Sequence, residues 1–312
     1  MNSTFLLVFV LISAVPGYFV LDCTVLTTER LDPIRYPGQA DVSHMHTVLG
    51  GSHFEKTFSY ENAISSSCTT CNTQADKSNY WQPSLYHKGT DGKLSLYPSG
   101  NHRAYYKYPD GGRNVMPVPN GLQMIVGSPD RQTQSNSPED KAVYFVCVDG
   151  SGNSGPEYGF PKRACSMFMQ ASVSFPQCWD GVNLNSADHR SHVSYSTDGY
   201  DGQICPSSHP VRIPQVMIEM IWQTNQFDYH GEGTYVLSSG DTIGYGLHGD
   251  FTAGWDDGAN APLAQAIKQC GSDPVNWGNI AGCPPLLAYQ NQDLQKKCTV
   301  ESLGVFGRRT KL

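Results

Sequence analysis

Charged side chains are scarce in this chain of 312 residues: they form 16% of it, and acidic residues outnumber basic ones by 28 to 21. Without a basic field there is nothing to hold a phosphate backbone, so nucleic acid is excluded as a partner class. Long apolar runs are lacking as well. The one candidate, Phe5 to Val15, is too short for a bilayer, so no membrane span is expected. No N-x-S/T sequon follows the one at Asn2, which leaves no glycosylation site to mark a surface loop. The string G-x-S-x-G is absent too, and this disfavours a serine-hydrolase elbow.

Cysteine, glycine, proline and tyrosine are plentiful, at 10, 31, 20 and 17 copies. Residues 1–17 carry no charge and end in Ala14, Pro16 and Gly17. They are expected to be a secretory signal, although Met1 to Thr4 lack the usual basic residue. Residues 18–312 then form a single secreted, monomeric domain. An even set of cysteines in a secreted chain implies a disulfide framework of up to five bridges, with the pairing left open. Cys68 and Cys71 make a C-x-x-C. With no second such pair and no βαβ context, they are assigned to structural bridges rather than to zinc or redox chemistry.

Alternating or β-branched runs at Leu21 to Thr28, Leu122 to Val126, Ala142 to Val148 and Val216 to Trp222 predict strands, and Pro262 to Cys270 predicts a helix opening on proline. The fold class expected is mainly β: a disulfide-stapled β-sandwich or jelly-roll-like fold with long loops and one or two short helices near the C-terminus.

Ionisable residues gather in Phe175 to Pro214, which holds His189, His192, His209, Trp179, Asp180, Asp188, Arg190 and Arg212 between turn-forming residues. Loops this dense in polar groups usually carry binding or catalysis. His44 and His46 stand two apart, so a strand would point both to one face, where they can share a metal ion or flank a substrate. Two separately hydrogen-bonded histidines remain the alternative. Glu219 interrupts an apolar run, and so is either edge-facing or a functional group with a raised pKa. Gly244 to Gly249 spells G-x-G-x-x-G, but the aromatic, acidic residues after it start no helix, so a dinucleotide site is rejected. These glycines instead let the backbone turn around His248 and Asp250.

Eight strings now stand in order. They are D-P-I-x-x-P-G from Asp32, S-H-x-H-T-x-x-G-G from Ser43, the C-x-x-C from Cys68 and D-K-S-N-Y-W-x-P-x-L-Y from Asp76. F-P-x-C-W-D-G-x-N-L from Phe175, D-H-x-S-H-V from Asp188, C-P-x-x-H-P-V-R-I-P from Cys205 and Y-G-x-H-G-D-F from Tyr245 follow. Together they resemble a secreted, mainly fungal family catalogued as domain of unknown function nineteen-ninety-six, from about Cys23 to about Cys283, which leaves a stapled extension over 284–312. Members often carry WSC carbohydrate-binding modules. The resemblance therefore implies work on polysaccharide or cell wall, and the chain is expected to find its target without such a module.

Two functions follow as expectations. The first is a polysaccharide lyase, a hydrolase or another metal-assisted enzyme. In it His44, His46, His192 and His209 converge, holding a divalent metal or exchanging protons. Asp188 or Asp250 orients a ring, His248 assists, and Arg212, between two prolines, offers a fork to a substrate anion. A hydrolase would need two carboxyls, from among Asp180, Asp188, Glu219 and Asp250; a lyase would need a base such as His192 or Tyr195. Trp179, Asp180, Tyr106 and Trp81 are the expected substrate-binding residues. The second function is a non-catalytic carbohydrate-binding or wall-structural module built on such aromatics.

Overall fold

Strands dominate the computed structural model, which describes residues 17–108, 112–257, 261–271 and 279–301. The expected signal, apart from Gly17, and the short C-terminal stretch 307–312, read from the sequence as a basic tail, lie outside the described residues. An antiparallel sheet of six strands runs in the order Gly17–Cys23, His102–Tyr108, Gln215–Trp222, Phe168–Ser174, Val143–Asp149 and Gly152–Asn153. A second of five runs Thr27–Glu29, His46–Gly50, Asn79–Pro83, His248–Thr252 and Gln123–Gly127. The expected strand over Leu21 to Thr28 is therefore two strands in different sheets. Cys23, bridged to Cys71, ends the first just before the chain crosses over.

The two sheets pack face to face, because each strand sends alternate side chains inward. Phe19, Leu21, Ala104, Tyr106, Val173 and Ile218 from one sheet share an apolar cluster with Leu49, Tyr80, Met124, Val126 and Phe251 from the other. Across this seam the Tyr80 and Tyr106 hydroxyls lie 2.7 Å apart. At Gly249 a Cβ would meet Val173 at 3.1 Å, so the sheets approach closely beside His248 and Asp250. Gly244 has φ +93, and a Cβ there would sit 2.5 Å from the Phe160 backbone nitrogen. The G-x-G-x-x-G string thus marks tight backbone passage, as expected.

The fold is mainly β and sandwich-like, as the sequence predicts. Helices are more numerous than expected. Pro262–Gln269 forms as predicted, but Pro284–Leu287 and Gln292–Lys297 follow it, and Tyr60–Ile64 and Pro138–Lys141 lie earlier. The two early helices begin on Ser59 and Ser137, whose hydroxyls cap them inside polar loops. All ten cysteines pair, as Cys23–Cys71, Cys68–Cys298, Cys147–Cys165, Cys178–Cys205 and Cys270–Cys283. The C-x-x-C cysteines have different partners, so their role is structural. Among the described residues no helix is long and apolar enough to cross a membrane.

Register places the outward residues of the five-stranded sheet in rows. His46 pairs with Pro83, Val48 with Trp81, Trp81 with Asp250, and Asp250 with Ile125. Paired residues share a face, and so do residues two apart. His46, His248 and Asp250 therefore project together, away from the sandwich seam. The loop carrying Arg30 to Met45 lies over this face, and Leu31 and Ile34 pack there on Val48, Trp81, Phe54 and Ile125.

Candidate metal centre

His46 is fully buried, and its Nδ1 lies 3.0 Å from the Leu31 carbonyl oxygen. His248 is almost fully buried, with Nδ1 2.8 Å from the Gly246 carbonyl oxygen. A carbonyl only accepts, so in both rings Nδ1–H donates and Nε2 keeps a bare lone pair. A carbonyl-anchored ring of this kind is how proteins orient metal-binding imidazoles. His44 Nε2 stands 3.0 Å from His248 Nε2. Two nitrogens each about 2.1 Å from one ion, at right or tetrahedral angles, lie roughly 3.0–3.4 Å apart. The spacing of these two rings thus matches neighbouring ligands of one metal.

Ligand atoms of His44, His46 and His248 all lie within 4.8 Å of one another, and so do those of Asp32, His46 and Asp250. His46 joins the two groups. Two atoms of the cluster, His46 Nε2 and Asp250 Oδ2, are buried and have no hydrogen-bond partner. Leaving either polar atom so is costly. Asp32 Oδ1 accepts from the Ile34 and Arg35 backbone nitrogens at 3.2 and 2.9 Å, which ties the carboxyl to its own turn.

Burial governs the charge states. It holds His44 down to about 4 and His248 to about 3, and it keeps His46 well below the ordinary histidine value. All three are neutral at neutral pH, the form that binds metal. Burial also raises Asp32, and it raises Asp250 well above the carboxylate range, with the nearby Asp32 charge adding to the effect. A cation at the cluster would offset both penalties. The two groups, three imidazoles in one and an imidazole with two carboxylates in the other, contain no thiolate and suit first-row transition metals or zinc.

Above the cluster opens a cleft of about 660 Å³ lined by His44, His248, Asp32 and Asp250 together with Arg30, Arg35, Tyr36, Tyr86 and Asp130. The outer wall comes from Tyr86 and Val236, neighbours in a small sheet of Tyr235–Leu237, Leu85–Lys88 and Leu94–Leu96. The buried cluster below and the open mouth above leave its His44, His248, Asp32 and Asp250 side chains facing a cleft reachable from solvent.

The sequence-predicted residues divide sharply. His44, His46, His248 and Asp250 come together. His192 and His209 do not join them, which corrects the expected four-histidine set. His192 Nε2 lies 2.8 Å from the Gln123 carbonyl and its Nδ1 2.8 Å from Ser186 Oγ. His209 is likewise held by Ser191 O and Ser208 Oγ. Asp188 accepts from Ser186, Ser191 and the Arg190 nitrogen, and the Ser191 backbone bond leads in holding it well below the usual carboxylate range. Arg212 donates to Ser196 Oγ and Gly202 O, and so braces the 196–205 loop rather than presenting a fork to the cleft.

The expected substrate-binding aromatics are also corrected. Tyr106 and Trp81 expose none of their surface, and Trp179 is 9% exposed with its Nε1 donating to Asn183 O. Asp180 caps the backbone of Val182 and Asn183. Glu219 lies in a strand flanked on both sides, not at an edge; burial raises its pKa and the Tyr105 hydroxyl donates to it at 2.9 Å. It faces away from the seam, on the opposite sheet from the cleft. Arg30, Arg35, Tyr36 and Tyr86 line the cleft and were missed by sequence reasoning, although Arg35 and Tyr36 are the two open positions of D-P-I-x-x-P-G.

A family model described as Domain of unknown function (DUF1996) matches residues 32–255. That span covers well over half of the chain, which therefore belongs to this family. No curated protein and no solved structure matches it.

Proposed function

We propose that this family member binds divalent transition metal at the two ligand groups that meet at His46, His44–His46–His248 and Asp32–His46–Asp250, and is a secreted enzyme that cleaves extracellular or cell-wall polysaccharide in the cleft above. The observation that carries the reading is the pair of buried, unpartnered ligand atoms, His46 Nε2 and Asp250 Oδ2, facing one cluster. A divalent ion there would supply Lewis-acid polarisation of a substrate oxygen. The chain's own groups do the rest. The carbonyl-anchored rings of His46 and His248 fix the floor, and half-buried His44 sits at the boundary with solvent. The Tyr36 and Tyr86 hydroxyls, which have no hydrogen bond among the described residues, are placed to meet sugar hydroxyls.

A hydrolase working by a carboxyl pair is poorly supported, because the cleft carboxyls Asp32 and Asp250 belong to the metal cluster while Asp180 and Asp188 cap their own loops. Metal-assisted cleavage and elimination fit the residues better. The non-catalytic module loses support from the burial of Trp81 and Tyr106. Five disulfides suit the extracellular setting.

The test is product analysis. Secreted protein incubated with a panel of wall polysaccharides should release soluble oligosaccharides. A chelator should stop release, and added transition metal should restore it. Products that persist unchanged through chelation would remove the metal from the reaction, and no product from any glycan would return the chain to the binding-module reading.

A further inference from the structure

We infer that the cleft selects an anionic glycan, one carrying uronic-acid carboxylates, and that Arg30 and Arg35 are its specificity-determining residues. The inference rests on the proposed function insofar as the metal-bearing cleft is the working site.

Both arginines line the cleft beside His44 and His248. Arg30 is exposed, and its side chain makes no hydrogen bond or ion pair among the described residues, although its carbonyl accepts from the Asp41 nitrogen at 2.9 Å. Arg35 is 40% exposed and its only ion pair among them is a loose 3.8 Å contact with Asp130, itself 84% exposed. An arginine held at a cleft mouth without a close carboxylate is available to one brought by a ligand, and its planar fork fits a carboxylate bidentately.

Charge within the cleft points the same way. The chain carries a net charge of −7, yet the lining acids are few. Asp32 and Asp250 would balance a divalent ion, which leaves two guanidiniums against the single carboxylate of Asp130. The cleft is thus a locally positive spot on an acidic protein, and such a spot concentrates polyanions against the general repulsion.

Arg35 is also tied to the metal cluster. The Asp32 carboxyl accepts from the Arg35 backbone nitrogen at 2.9 Å, so one residue both joins the cluster and sets the turn that carries the arginine. Metal and anionic substrate should therefore bind with positive coupling, each ordering the turn for the other.

The experiment measures binding rather than turnover. Titration calorimetry compares uronic-acid, sulfated and neutral oligosaccharides of equal length on the metal-loaded protein. It is repeated on Arg30→Gln/Arg35→Gln, whose exposed side chains can change without unfolding the chain. Metal affinity is measured separately in the absence of sugar. The expected result is tightest binding of the uronic-acid oligomer, weakened at least tenfold in the double variant and by added salt, with metal affinity within twofold of the unsubstituted protein. Equal binding of neutral oligomers, tighter binding of sulfated ones, or indifference to the double substitution would each overturn the assignment. The two readings fail separately. Metal binding with a neutral glycan preferred would sink this inference alone, whereas arginine-dependent uronate binding on a chain that takes no metal would sink the proposed function alone.

Discussion

His46 Nε2 and Asp250 Oδ2 are the two atoms on which the functional account turns, because they are buried without a partner and belong to residues of the two ligand groups. Trp81 Nε1, Gln82 Oε1 and Thr252 Oγ1 of the same sheet also lack partners, but none of them belongs to a ligand group. The hydroxyl network across the seam is satisfied within the protein. Tyr80 donates to Asp76 Oδ2 at 2.6 Å, the Tyr80 and Tyr106 hydroxyls meet, and Trp255 Nε1 donates to the Tyr106 oxygen at 2.8 Å. Tyr106 is therefore a member of a core network, not a sugar platform. Tyr106→Phe should lower stability by about 1–3 kcal/mol, since it strands the Trp255 N–H, and should leave metal and sugar binding unchanged. Denaturant unfolding beside a metal titration checks both halves. A loss of sugar binding at unchanged stability would restore the ligand-facing role.

The same scale explains which residues the sequence disclosed. Spacing two apart in H-G-D put His248 and Asp250 on one strand face. His44 instead precedes the strand His46–Gly50 and reaches the cluster from the covering loop, not by the strand alternation expected of S-H-x-H. Their meeting was not local: it depends on Val48 pairing with Trp81 and Trp81 with Asp250. The loop from Phe175 to Pro214 misled because aspartate, serine and histidine are as useful for capping turns as for chemistry. Asp180, Asp188 and Asp198 each accept from backbone nitrogens two to six residues on. No pattern in the sequence separates that use from catalysis.

At the scale of elements, the strand His248–Thr252 does two jobs. Its outward face presents His248 and Asp250, and its inward face brings Gly249 against Val173 and Ile218. An added methyl would crowd the Val173 and Ile218 side chains at 3.1 to 3.3 Å, so the seam or the strand must give slightly. Gly249→Ala is expected to cost about 1–3 kcal/mol as overpacking and to weaken metal affinity as well, because ligands and seam share one strand. Thermal melts with and without saturating metal would show it. A variant as stable as the original with unaltered metal affinity would contradict this coupling. The strands themselves were readable where burial is one-sided or complete, as in Gln215–Trp222, where every residue is buried. The early helices were not, since four- and five-residue turns capped by Ser59 or Ser137 carry too little periodicity to stand out.

At the scale of the whole molecule, two sheets provide a rigid floor, five disulfides pin the loops around them, and the loop over the five-stranded sheet completes the cluster with Asp32 and His44. Cys68–Cys298 ties residues 230 apart in sequence, anchoring the C-terminal segment to the same half of the sandwich as the candidate centre. The sandwich was foreseeable from composition and period. The cleft was not, because it exists only where distant strands, a small sheet and one loop come together.

The most direct test of the central claim is an equilibrium metal titration of chelator-stripped protein, run with zinc, manganese and copper on the unsubstituted chain and on His46→Ala and Asp250→Asn. The account predicts about one tightly bound ion per chain and at least a hundredfold loss of affinity in each variant, more than outer-shell changes usually cost, with the disulfide-stapled fold intact by circular dichroism. Failure of the unsubstituted chain to bind any of the three ions, or equal affinity in folded His46→Ala and Asp250→Asn, would contradict it.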